Sequence, residues 1–156
     1  MHPGDEVVTY ATSGVASPRG SDWVVPGDAI GGYRIEGIAG AGGMGVVYRA
    51  RDPELARTVA LKLIAPEWAR EPRVREMFVS ESLAAAGLEH PHALPVYRAG
   101  EDRGHLFIAM RFVDGTSLRE EIEAGGRLPP GRAARLVAQV ASALDAAHAR
   151  GLSIAT

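Results

Sequence analysis

Ile38-Ala39-Gly40-Ala41-Gly42-Gly43-Met44-Gly45-Val46-Val47-Tyr48, followed after an arginine-rich interval by Val59-Ala60-Leu61-Lys62-Leu63-Ile64, sets the architecture of this chain. Gly40, Gly42 and Gly45 form a G-x-G-x-x-G, a weak signal by itself in a chain with 19 glycines. The residues after the loop give it meaning. A dinucleotide-binding loop of this spacing runs into a helix, whose N-terminal amides hold a pyrophosphate. Here Val46-Val47-Tyr48 is β-branched and aromatic and predicts a strand. A Walker loop requires Lys and then Ser or Thr after its last glycine, and neither is present. What remains is a hairpin folded over a polyphosphate, with glycines that let backbone N–H groups approach phosphate oxygens. The later strand carrying Val-Ala-x-Lys then puts one ammonium, Lys62, beneath that flap.

Lys62 is the sole lysine among 17 Lys and Arg residues. A compact ammonium and a planar guanidinium are not equivalent at a phosphate, so this placement argues for a phosphate contact over a solvated strand position. A second signal follows in Val74, Met77, Phe78, Glu81, Ala84, Ala85 and Leu88, which share one face of a helix. Glu81 falls within that apolar stripe. Two readings of it stand open: a carboxylate at the stripe's edge that reaches water, or one turned inward to meet a cation.

Together these residues resemble the protein kinases, specifically the bacterial serine/threonine kinases of eukaryotic type. The resemblance runs from about Gly32 to Leu152. It implies an α+β fold, a protein-kinase-like N-lobe with a five-stranded antiparallel sheet and one main helix, followed by two C-lobe helices. It implies ATP as the nucleotide, with Mg²⁺ in the intact family, and a Lys62–Glu81 ion pair that positions the phosphates. The nucleotide-binding residues it implies are Ala39, Gly40, Ala41, Gly42, Gly43, Met44, Gly45, Val47, Ala60, Lys62, Met110, Arg111 and Val113. Met110 stands at the back of the adenine pocket, and the backbone of Arg111 and Val113 at the hinge. Ala39 is smaller than the family's usual large aliphatic, which thins the cover over the adenine ring. Arg111 replaces a common Glu without altering the backbone contact.

At 156 residues the chain is shorter than the on the order of 250 that a complete two-lobed kinase domain needs. The organisation expected is a flexible leader over 1–27, an ATP-binding lobe over 28–113 and a partial second lobe over 114–156. A formal net charge of −2 gives no electrostatic footprint for nucleic acid or an anionic membrane. No cysteine is present, which excludes disulfides, a thiol nucleophile and thiolate metal sites. No run of about eighteen apolar residues and no signal-like N-terminus occurs, so a cytoplasmic protein is expected.

Strands are predicted over 33–39, 45–51, 58–64, 94–99 and 105–112. In the leader, Trp23-Val24-Val25 is an apolar cluster that either docks on the lobe or stays free. Ser117 and Glu120 form a capping box ahead of a short helix, and Pro129-Pro130 opens a longer one. His90 and His92, in a proline turn without a carboxylate cluster, read as structural and not as metal ligands. Asp145 and His148 read as a solvated pair.

The resemblance also implies a limit. After Leu152 a kinase continues to His-Arg-Asp, whereas this sequence reads Ser153-Ile154-Ala155-Thr156. The catalytic Asp, the metal-binding Asn and the Asp-Phe-Gly ligand are absent, so no metal ligand is assigned and phosphoryl transfer by this chain alone is not expected. The leading expectation is a serine/threonine-kinase-like ATP-binding fragment, truncated before the catalytic loop. The alternative is a non-catalytic, pseudokinase-type module that regulates a full kinase. A second kinase chain, or self-association through the 130–150 helix, is the partner that alternative implies. The apolar residues Leu136, Val137, Val140 and Leu144 would otherwise forgo about 6–12 kcal/mol of burial.

Overall fold

The computed structural model describes residues 24–152, so Trp23 and most of the leader lie outside the described residues, as do the last four positions. Six strands form one antiparallel sheet: β1 (Ala29–Ile30), β2 (Tyr33–Gly42), β3 (Gly45–Asp52), β4 (Arg57–Ile64), β5 (Val96–Asp102) and β6 (His105–Arg111), in the order β1-β2-β3-β4-β6-β5. Four helices are interspersed: α1 (Pro66–Ala69), α2 (Pro72–Ala86), α3 (Leu118–Gly125) and α4 (Pro130–His148). The α+β architecture is the expected one. The added strand, β1, spans 2 residues, too few to show alternation, and it turns back on β2 at Gly31-Gly32. A Cβ on Gly31 would lie 2.3 Å from the Phe107 ring, so glycine is required for the turn to rest on that ring.

Alternation on β3 and β4 sorts side chains to the two faces of the sheet. Val46, Tyr48, Val59, Leu61 and Leu63 join Ile30, Ile35, Phe107 and Ala109 in the main core. Val24 packs against this cluster, and the Gly27 N–H donates to the Ile35 carbonyl at 2.9 Å, so the described end of the leader is tied to the sheet. Tyr48 is fully buried and, among the described residues, its hydroxyl has no hydrogen-bond partner; burial pushes the phenol up to about 12. Tyr48→Phe keeps the ring and removes an unsatisfied polar group. The expected result is a gain of about 1 kcal/mol in urea unfolding, and a comparable loss would show that the hydroxyl is bonded after all.

The β3–β4 turn is organised by Asp52. Its carboxylate accepts from the N–H groups of Glu54 and Leu55, both at 3.2 Å, and from Arg57 Nε at 3.1 Å. Arg57 also lies 3.7 Å over the Tyr97 ring, which carries the turn's anchorage to β5. Burial raises the Asp52 pKa, but the Leu55 N–H, Arg57 and the Glu54 N–H outweigh it and hold the group below its usual range. A depressed folded-state pKa gives stability that is present above the unfolded value of about 3.9 and lost as pH falls through the folded one. The expected result is that Asp52→Asn flattens the acid limb of a stability–pH curve; an unchanged limb would assign the acid sensitivity elsewhere.

Helix α2 starts on Pro72 and packs across β5. It turns Phe78 and Ser82 to the sheet, where Phe78 joins Ala69, Leu106, Ile64, Ala99 and Ile108 in a second cluster. The buried face is therefore rotated from the stripe expected, whose members Met77 and Glu81 are exposed. In this orientation Arg75 donates to the Ala69 carbonyl at 3.0 Å and pairs with Glu101 on β5. The Ser117–Glu120 capping box forms as predicted, with Glu120 Oε2 accepting from the Ser117 N–H at 2.6 Å and Ser117 Oγ accepting from the Glu120 N–H at 3.2 Å. His90 Nδ1 accepts from the His92 N–H at 3.2 Å. The proton therefore sits on Nε2, which faces Ser142 Oγ of α4 at 3.0 Å. The turn thus anchors α4, in keeping with a structural histidine. Val137 and Val140 on α4 are 68% and 58% exposed.

Candidate functional site

Cross-strand partners lie on the same face of a sheet, so the register locates the candidate residues. Val47 opposes Lys62, and Lys62 opposes Ile108; Ala60 opposes Met110. Val47, Ala60, Lys62 and Met110 therefore share the face opposite the main core. Toward the end of β4, Ile64 and Ile108 on this face are covered by the cluster around Phe78. Lys62 sits where that cover stops. It is half-buried, and among the described residues it makes no ion pair or side-chain hydrogen bond.

The flap is the β2–β3 hairpin. Gly40 opposes Val47, Ala41 opposes Val46 and Gly42 opposes Gly45, leaving Gly43 and Met44 at the tip. Register shifts between Ile35 and Gly37 and between Ile38 and Gly40 bend β2 at Glu36 and at Ala39. A Cβ at Gly40, Gly42 or Gly43 would meet nothing within 4 Å, so the space beside these backbones is open to a ligand. Gly45 differs: its φ is +149° and a Cβ would stand 2.0 Å from the Leu63 carbonyl oxygen. Three of the loop's glycines are thus free for approach, and the fourth is a packing requirement.

At the far edge, Met110 and Arg111 end β6. The Arg111 N–H donates to the Pro95 carbonyl at 3.1 Å. Val113 follows outside the strand and is 61% exposed.

One expected contact is not formed. Glu81 is exposed, and no Lys62–Glu81 ion pair exists among the described residues. The cause is the rotation of α2: successive helical residues lie about 100° apart, so burying Ser82 swings Glu81 off the sheet. The small side chains Ser82, Ala86, Ala99 and Gly100 leave a cavity of about 240 Å³ between α2 and β5–β6, lined also by Phe78 and Leu106. Among the described residues no group of three His, Asp or Glu side chains converges on a point.

The chain matches the protein kinase domain family over residues 33–154. It belongs to that family. It is 45% identical over 126 residues to the serine/threonine-protein kinase PknJ of Mycobacterium bovis, covering 81% of this chain and 21% of that protein. It is 43% identical over 127 residues to PknD of Mycobacterium tuberculosis, covering 81% of this chain and 19% of that one. Among solved structures it superposes on the kinase domain of Mycobacterium tuberculosis PknI with a TM-score of 0.76 at 37% identity, covering 83% of this chain and 53% of that domain. This kinase chain thus spans about a fifth of the length of the curated relatives it matches and about half of the solved kinase domain. Among the described residues no helix is long and apolar enough to cross a membrane.

Two features of the site escaped sequence reasoning. Helix α1 carries Trp68, whose indole Nε1 donates to the Gly43 carbonyl at the flap tip at 3.3 Å. On the observed face of α2, Arg75 meets Glu101 across 26 positions of sequence. Pro66 was a visible helix-start signal for α1, but a four-residue turn carries no periodicity. The Arg75–Glu101 contact leaves no local sequence signal.

Proposed function

We propose that this chain is the nucleotide-binding portion of a cytoplasmic serine/threonine protein kinase, a phosphotransferase acting on protein Ser or Thr, and that it binds ATP as the magnesium complex. Lys62 carries the reading: the sole lysine of the sequence, half-buried and without an ionic partner among the described residues, faces the same side as Val47, Ala60 and Met110. In this reading the adenine lies between Val47 and Ala60, with Ala39 above it and Met110 behind. Its edge meets the backbone of Arg111 and Val113. The phosphates lie under Gly40 to Gly45, with Ala41, Gly43 and Met44 presenting backbone N–H groups, and Lys62 supplies the charge.

Bound magnesium would neutralise phosphate charge, while this chain's residues grip and orient the nucleotide. Glu81 reaches Lys62 only after α2 turns back, which requires the Arg75–Glu101 pair to yield. The domain limits follow the same logic: a nucleotide lobe through Val113, then α3 and α4 as the start of a second lobe.

The exposed Glu81 favours a second reading, a non-catalytic module that regulates a full kinase by occupying it, with the Val137 and Val140 face of α4 as the contact or as a self-association surface. A thermal melt with and without Mg-ATP separates the two. A transition raised by Mg-ATP supports the nucleotide reading, whereas an unresponsive transition with a stable kinase complex supports the second.

A further inference from the structure

The tip of the glycine flap is held at three successive residues. Trp68 Nε1 donates to the Gly43 carbonyl at 3.3 Å, the Ala65 N–H donates to the Met44 carbonyl at 3.0 Å, and Gly45 packs against the Leu63 carbonyl. All three holds come from the end of β4 and the turn of α1. That turn is itself fixed. Ala65 and Ala69 are both 3% exposed, and Ala69 belongs to the cluster with Phe78 and Leu106. The indole, by contrast, is on the surface, with Trp68 47% exposed, so burial does not explain its position.

The direction of the hydrogen bond matters. Among the described residues all peptide bonds are trans, and a planar trans peptide points its N–H opposite to its carbonyl. With the Gly43 oxygen drawn to Trp68, the Met44 N–H of the same peptide faces away from α1. A carbonyl oxygen turned to a phosphate repels it; an N–H binds it.

We propose that Trp68 is a positioning residue for the polyphosphate: its indole N–H sets the Gly43–Met44 peptide with the carbonyl outward and the amide available to a phosphate oxygen. The inference rests on the nucleotide reading of the flap. It predicts an effect confined to ligands that carry phosphates.

The test compares the full chain with Trp68→Phe, which keeps an aromatic ring and lacks the donor, by calorimetric titration with Mg-ATP and with adenosine. The expected result is Mg-ATP affinity weakened roughly three- to tenfold, the range of one net hydrogen bond, with adenosine affinity unchanged. In a Trp23→Phe background Trp68 is the sole tryptophan, since the sequence has 2, and excitation at its red edge reads it apart from the tyrosines. Its emission should shift with Mg-ATP and not with adenosine. Equal weakening of both ligands would make Trp68 merely structural and overturn the proposal, as would unchanged Mg-ATP affinity. Either result leaves the nucleotide reading standing. Failure of the unmodified chain to bind either ligand would remove that reading and this proposal with it. Should Trp68→Phe not fold, the emission measurement, which retains Trp68, decides: a silent signal at saturating Mg-ATP overturns the proposal.

Discussion

Lys62→Met is expected to cut by half or more the rise in melting temperature that Mg-ATP gives the unmodified chain, while leaving the melting temperature without nucleotide unchanged. Both halves follow from the placement of the side chain. Lys62 has no ionic partner among the described residues, so the folded state loses no internal contact when the ammonium is removed. In the nucleotide reading, a polyphosphate under Gly40 to Gly45 loses its one lysine contact. A hydrogen bond to a charged group is worth about 1.5–3 kcal/mol, which lowers affinity roughly ten- to over a hundredfold. At a ligand concentration a hundred times the original dissociation constant, the stabilisation of about 2.7 kcal/mol then falls to about 0.3–1.3 kcal/mol. Lys62→Arg should restore little of it, because the planar fork cannot take the place of a compact point charge at the same depth. Differential scanning calorimetry with and without Mg-ATP reads both effects. A Lys62→Met protein that still responds fully to nucleotide would place the phosphates elsewhere.

Gly45→Ala is expected to cost more stability than a change at any other glycine of the flap, about 2–5 kcal/mol. The added Cβ would stand 2.0 Å from the Leu63 oxygen, 3.0 Å from its carbonyl carbon and 3.1 Å from Ile64 Cα, all backbone atoms that cannot swing aside. The φ of +149° adds strain for any L side chain. Relief requires β3 to part from β4 where Gly45 opposes Ile64, next to the Val47–Lys62 pair. Gly42→Ala and Gly43→Ala meet open space and should leave stability nearly unchanged. Urea unfolding of the three variants measures the contrast. Equal costs at all three positions would mean that the flap does not pack on β4 as described.

Much of the fold was legible because its signals are local. β-branched residues after Gly45, alternation through Val59 to Ile64, the Ser117–Glu120 box and the paired prolines before α4 each announce an element within a few residues. The candidate nucleotide face was legible for the same reason: strand alternation puts Ala60 and Lys62 on one side whatever the sheet's neighbours are. The position of Glu81 was not legible. A stripe of small and aliphatic residues on α2 permits several rotations, and alanines at 84, 85 and 86 discriminate weakly among them.

The sequence by itself determined that a glycine hairpin leads into a strand, that a lone lysine stands on the next one, and that a helix follows with a carboxylate on it. These are consequences of backbone sterics and side-chain periodicity, which act over neighbouring residues. Only the tertiary structure decided that α2 would bury Phe78 and Ser82 and turn Glu81 to solvent, that Arg75 would pair with Glu101, and that Trp68 would reach the flap at Gly43. Such contacts join residues far apart in the chain, and they are settled by which packing of the helix on the sheet fills space and satisfies polar groups best.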